Sequence, residues 1–239
     1  MLAGQKIVII GGSSGIGLET AKLAAAEGAE IIIASRSAHK LEQARAKLGT
    51  EAKVSTYTLD ITDEAQMQAF FAELDDIDHL VVTAAETSGG AFLSTATSAA
   101  RQLMDNKFWG QYYAAKYAAP KLRPAGSVTL FSGIVAFKSM TGSSMLGVVN
   151  AAVTNLARTL ALELAPLRVN AVSPGIIDTP SRAGMAEEAR TSFYSGLAAK
   201  LPAQRVGTAA DVAQGVLYLM HNSFVTGTVL HIEGGHSLI

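Results

Sequence analysis

The sequence predicts a doubly wound α/β fold, a parallel sheet with helices on both faces, formed by residues 1–239 as one domain. Three observations carry that expectation. Ile7 to Ile10 are four apolar residues in a row, the pattern of a strand buried on both faces. Strand-like and helix-like segments then alternate almost to the end of the chain. Apolar residues make up 49% and charged residues 16%, enough to fill a sizeable core and unlike a disordered chain.

The elements follow in order. A first strand, Lys6–Ile10, runs into a turn with glycines at 11, 15 and 17, and a helix over Gly15–Glu27 follows. Strand, glycine turn and helix N-terminus together suit a pyrophosphate. Unpaired N–H groups point outward, the helix dipole favours negative charge, and missing Cβ atoms allow close approach. Gly11, Ser13, Ser14, Gly15, Ile16 and Gly17 are therefore candidate cofactor-binding residues. Further strands are expected at Glu30–Ala34, Val54–Leu59, His79–Thr83, Ser127–Phe131, Val169–Val172 and Thr228–Ile232. The helices between them are Ala38–Leu48, Glu64–Leu74, a long one near Arg101–Ala119, another near Ser143–Ala165, and Ala209–Met220. In the fifth helix Ala152, Leu156, Leu160 and Leu164 recur every four residues as an apolar stripe. Thr208 and Asp211 form a capping box for the last one. Pro180–Pro202 is the least patterned stretch, and a long connection there suits a lid over a ligand crevice.

Composition excludes several classes. Lys and Arg number 19 against 20 Asp and Glu, a net charge of −1, so no basic field for nucleic acid or an acidic membrane is expected. With no cysteine there is no disulfide, thiolate nucleophile or cysteine-ligated metal, and the five histidines never fall at a metal-binding i, i+4 spacing. Apolar runs are short for a membrane span, and the first strand begins too early for a signal peptide. The expectation is a soluble cytoplasmic protein without a metal.

Other signals are spread along the chain. Ser35-Arg36 closes the second strand, Asp60-Ile61 follows the third, Asn106 lies in the long helix and Ser132 ends the fifth strand. Arg168-Val169-Asn170-Ala171-Val172-Ser173-Pro174-Gly175 leads to Thr179-Pro180, and Thr226-Gly227 precedes Glu233-Gly234-Gly235. This set, in this order, resembles the short-chain dehydrogenase/reductase family over essentially the whole chain. The resemblance implies a Rossmann-type fold with a seven-stranded parallel sheet and a bound NAD or NADP. It also implies a catalytic set of Asn, Ser, and Tyr with Lys four residues later. The Tyr exchanges a proton with substrate oxygen while hydride moves to or from nicotinamide, and the Lys lowers the Tyr pKa and holds the nicotinamide ribose.

By motif position Asn106 matches the Asn and Ser132 the Ser, and they are the candidate catalytic residues. Leu146 stands where the Tyr belongs and Asn150 where the Lys belongs. No register shift repairs this, because no tyrosine lies between Tyr117 and Tyr194 and no lysine between Lys138 and Lys200. Tyr112 and Lys116 have the right spacing but precede Ser132, and packing and surface charge are their expected roles. Leucine has no proton to give and a neutral amide cannot depress a neighbour's pKa, so the family's usual acid–base chemistry is expected to be absent. Lys138 or the lid residue Tyr194 remain as other donors.

Resemblance also selects the cofactor pocket. An acidic residue after the second strand would bind the ribose hydroxyls of NAD; Ser35 removes its repulsion and Arg36 offers a guanidinium to the extra phosphate of NADP. NADP(H) is the expected cofactor. Asp60 and Ile61 would frame the adenine, Ala84 and Ala85 would let the backbone approach the ribose, and Asn150 would reach the ribose hydroxyls. Pro174, Gly175, Ile177 and Thr179 would lie by the nicotinamide. The expected activity is oxidoreduction of a small carbonyl or alcohol. An NADP(H) sensor or scaffold without turnover, or a non-redox lyase or isomerase, are the alternatives. A homodimer or homotetramer, paired through the two long helices with Phe108, Trp109, Ala114 and Ala118, completes the expectation.

Overall fold

The computed structural model describes residues 2–84 and 89–239. Its main sheet has seven parallel strands: β1 (Lys6–Ile10), β2 (Glu30–Ser35), β3 (Val54–Thr58), β4 (Ile77–Val82), β5 (Leu122–Phe131), β6 (Arg168–Pro174) and, after a small two-stranded pair β7 (Ile177–Asp178) and β8 (Gly207–Thr208), β9 (Val229–Ile232). The order is β3-β2-β1-β4-β5-β6-β9, so the chain reverses direction across the sheet between β1 and β4. That reversal opens a crevice at the strands' C-terminal ends.

The inner strands are buried on both faces, the edge strands β3 and β9 only in part, and the side chains alternate between two cores. Val8, Ile10, Leu80, Val82, Val128 and Leu130 point into one. It is closed by α3 (Glu64–Glu73), α5 (Gly110–Ala118) and α6 (Ser144–Glu163) through residues such as Phe70, Ala114 and Val153. Ile7, Ile9, Ile31 and Ile33 point the other way, against α1 (Gly15–Ala26), α2 (Ala38–Leu48) and α8 (Ala209–His221). Leu156, Leu160 and Leu164 of the expected stripe pack partly buried against the first core. The 20-residue α6 is long and apolar enough to cross a membrane by length and composition, which the short apolar runs did not suggest. Here it is a core helix, with Val149, Val153 and Ala157 fully buried.

Two expectations change in detail. The long helix near Arg101–Ala119 is instead α4 (Thr97–Met104), a π-helical turn over Asp105–Trp109, and α5. And Ala114 and Ala118 are fully buried against the sheet, so of the four residues expected at a subunit contact they belong to the core, while Trp109 is 39% exposed. The 180–202 connection carries a 3₁₀ turn (Pro180–Arg182) and α7 (Glu187–Ala198), which contributes no buried residue. Thr208 and Asp211 form the capping box on α8, and Arg205 grips the same carboxylate with bonds of 2.6 and 2.7 Å.

Candidate active site

The glycine loop is shaped by its neighbours. Gly11 has φ +92°, and a Cβ there would stand 2.5 Å from Ala84 N and 2.6 Å from Thr83 Oγ1. A Cβ on Gly17 would strike Gly11 O and the same threonine hydroxyl. Thr83 is held in place because its N–H and hydroxyl both donate to Ile10 O, at 2.8 and 3.2 Å, and Ala84 N–H donates there too. The end of β4 is thereby stitched to the end of β1 beneath the loop. Ser14 precedes α1 in extended conformation and makes no side-chain cap bond, so the first-turn N–H groups of Gly15, Ile16 and Gly17 face a prospective anion. Gly15 (φ +53°) lies against Thr179, whose Cβ would be 3.6 Å from a glycine Cβ. Thus the start of the 180–202 connection meets the glycine loop.

At the end of β2, Ser35 Oγ is buried with no partner among the described residues, and Arg36 beside it is exposed. An orphaned hydroxyl next to a guanidinium fits a phosphorylated ribose. Asp60 is occupied differently: its carboxylate accepts from Thr62 N–H at 2.9 Å and Thr62 Oγ1 at 2.8 Å. Ile61 is buried against Gly110, where a Cβ would be 2.6 Å from its Cγ1. Ile177 turns into the core with α8. Gly175, just after Pro174, donates to Ile232 O at 3.0 Å and has Glu233 Cα where a side chain would stand. Ser13 lies in the loop itself, and Ala85 lies outside the described residues.

Ser132, Asn150, Lys107 and Gln111 come together where β5 ends. Ser132 Oγ donates to Asn150 O at 2.9 Å and is 2.9 Å from Thr154 Oγ1, so the hydroxyl is turned into α6. Asn150 is 1% exposed, and its Oδ1 has no partner among the described residues. Next door, a Cβ on Gly133 would lie 2.7 Å from Asn150 Nδ2, so the amide fills the space a side chain at 133 would take. Leu146 is partly buried one turn earlier in α6. Asn106 is buried in the π-helical turn. Its neighbour Lys107 is 5% exposed and donates from Nζ to Ser132 O at 2.9 Å. Burial, with no carboxylate to offset it, lowers its pKa to about 8. Gln111 locks the arrangement: its Nε2 donates to Lys107 O (2.8 Å) and Phe131 O (3.0 Å), and its Oε1 accepts from Phe131 N–H at 2.6 Å.

Lys107 and Gln111 were not among the residues the motifs point to. A signal for them exists in the helical spacing, because Leu103, Lys107, Gln111, Ala114 and Ala118 recur at three to four residues and all are buried. A lysine and a glutamine in the middle of a core stripe need a reason to be there. Of the other donors, Lys138 donates to His236 O at 2.9 Å and so ties down the C-terminal turn, while Tyr194 Oη, in α7, is buried with no partner among the described residues. Lys116 pairs with Glu64 on the surface at 3.1 Å. No group of His, Asp and Glu suited to a metal occurs among the described residues.

Sheet order, switch point and glycine cradle define the class: a doubly wound protein whose phosphate-type loop sits at the β1/β4 reversal. Residues 11–237 match the family described as enoyl-(acyl carrier protein) reductase. A short-chain dehydrogenase/reductase, ATR9, of Stachybotrys chlorohalonatus is 31% identical, the alignment covering 98% of this chain and 97% of that one. A crystal structure of a small-chain dehydrogenase in complex with NADPH superposes with a TM-score of 0.87 at 35% identity, covering 99% of this chain and all of that one. The structure of ElxO with NADP bound gives 0.90 at 29% identity, over 99% and 100% of the two chains. The chain belongs to the short-chain dehydrogenase/reductase family.

Proposed function

We propose that this protein is an NADP(H)-dependent oxidoreductase that reduces a carbonyl, or oxidises the corresponding alcohol, of a small molecule without the family's tyrosine–lysine pair. The observation that carries the reading is at the end of β2, the strand beside β1: a buried Ser35 hydroxyl, unpartnered among the described residues, next to the exposed Arg36. Gly11, Gly15 and Gly17 with Ser14 would hold the pyrophosphate, Ser35 and Arg36 the adenosine ribose and its phosphate, and Asn150 Oδ1 a ribose hydroxyl. NADPH, when bound, supplies hydride. The solved relatives that carry NADPH or NADP support the choice of cofactor.

Leu146 and Asn150 occupy the tyrosine and lysine positions, and neither donates a proton on demand. Ser132, with its hydroxyl committed to Asn150 O, and the buried Asn106 serve the architecture of this corner. Residues 180–202 form the lid over the substrate, and the protein works in the cytoplasm as a dimer or tetramer. The test is a fluorescence titration of NADPH and NADH, followed by NADPH oxidation across a panel of ketones, aldehydes and enones. Tighter NADPH binding with substrate-dependent oxidation is expected. Tight binding without turnover would favour a sensor, and product formation with an unchanged NADPH signal a lyase or isomerase.

A further inference from the structure

We propose that Lys107, rising from the π-helical turn to the end of β5, is the proton donor of this site. The proposal rests on the oxidoreductase reading above. Its physical basis is the company Lys107 keeps. The ammonium is buried beside the C-terminal end of β5, anchored to Ser132 O at 2.9 Å, and that is its one bond among the described residues. An ammonium has three N–H groups, so two remain for other acceptors. Around Ser132, to which the ammonium is anchored, stand the serine's own hydroxyl at the end of β5 and the Asn150 amide on α6. Asn150 offers a buried acceptor, Oδ1, without a partner among the described residues, and Ser132 Oγ is already bonded to Asn150 O. A lysine held only for architecture costs several kcal/mol to bury without a counter-charge, and an uncharged residue would fill the same place. Gly133 leaves this corner without a side chain of its own.

The chemistry balances. When the carbonyl carbon has accepted hydride, its oxygen needs one proton. The N–H bond of Nζ breaks, an O–H bond forms, the carbonyl becomes an alcohol, and the neutral amine left on Lys107 regains its proton from water. Alcohol oxidation is the reverse, with the neutral amine taking the hydroxyl proton. The lowered pKa of about 8 places both forms within reach near neutral pH. Gln111, bonded to Lys107 O and to both backbone groups of Phe131, is a positioning residue for the turn.

The test compares wild type with K107M, which keeps the length of the stem, K107R, which keeps charge but does not release its proton near neutral pH, and Y194F. NADPH affinity is measured by fluorescence titration, turnover by NADPH oxidation, and the Lys107 Nζ titration by NMR on lysine-labelled protein without cofactor. We expect K107M and K107R to bind NADPH within about threefold of wild type and to lose at least a hundredfold in kcat. In wild type, kcat for reduction should fall, and for oxidation rise, through the pH at which Nζ titrates in the NMR experiment. Turnover that survives K107M, or that is lost in Y194F instead, overturns the proposal alone. An Nζ titrating at the ordinary lysine value, with kcat inflecting elsewhere, overturns it as well. Wild-type NADPH binding with no turnover on any carbonyl defeats the oxidoreductase reading and takes this proposal with it.

Discussion

In the proposed function, Arg36 and Ser35 share the recognition of a phosphorylated ribose as a charge and a neutral hydroxyl. The hydroxyl is buried at the end of β2 and unpartnered among the described residues, while Arg36 is exposed. Hydrogen bonds to charged groups contribute about 1.5–3 kcal/mol. Arg36→Ala should therefore raise the NADPH dissociation constant by about ten- to a hundredfold and leave NADH binding almost unchanged. Equal losses for both cofactors would remove Arg36 from the phosphate. A second residue-scale consequence lies at the opposite end of the sheet, where His79 is sealed between Ser127 Oγ at 2.7 Å and Gln5 Oε1 at 2.9 Å. Burial, helped by Arg168, lowers its pKa to about 4. The folded protein thus holds a neutral imidazole, whereas the unfolded chain protonates it below about 6.5. Its contribution is fully present above pH 6.5 and is lost as pH falls through 4, of order 3 kcal/mol across that window. Chemical denaturation between pH 7 and 4 should show that one-proton slope in wild type, and His79→Gln should flatten it.

At the scale of elements, the loop between β1 and α1 was legible because its glycines have nowhere to be anything else. Gly11 and Gly17 both face Thr83, so Gly17→Ala should push the loop off the end of β4, abolish measurable NADPH binding and lower Tm by several degrees. A Gly17→Ala variant that binds NADPH normally would show that the cradle tolerates a methyl group. Parallel strands were legible as apolar runs, and Thr208 with Asp211 as a helix start. The π-helical turn was not, because one extra residue in a turn leaves the composition of a helix unchanged; the long helix near 101–119 read as continuous. That turn settles what each side chain meets, and it buries both Asn106 and Lys107 while only the lysine reaches Ser132 O. Motif position alone points to Asn106 and Ser132. It carries no information on which way a hydroxyl is turned, and Ser132 Oγ faces α6 because it donates to Asn150 O and is hydrogen-bonded with Thr154 Oγ1 there. The 180–202 connection was readable as a break in the strand–helix pattern, but its internal helix α7 has no buried residue to announce it.

The whole molecule presents one more surface that asks for a partner. Along α6 the residues opposite the sheet include Val148, 56% exposed, and Leu162, 82% exposed, with Ala151, Asn155 and Thr159 between them on the same face. Near the start of α5, Trp109 is 39% exposed and packs edge-on or stacked with Phe108, Tyr112 and Tyr113. Such a band of apolar and small polar residues along α6, with the aromatic cluster at Trp109, suits self-association by a two-fold axis, where the same patch serves both subunits. Ala114 and Ala118 take no part, since they are spent inside the core. Light scattering at micromolar concentration should give a mass two or four times the 24.8 kDa of one chain. Replacing Val148 and Leu162 together by Glu places two charges per subunit against their own copies, and repulsion plus desolvation should shift the protein to monomer. Because neither side chain is buried in the single chain, the thermal transition of that monomer should keep its cooperativity. A wild-type mass of 24.8 kDa, or an oligomer indifferent to both glutamates, would assign this face to solvent.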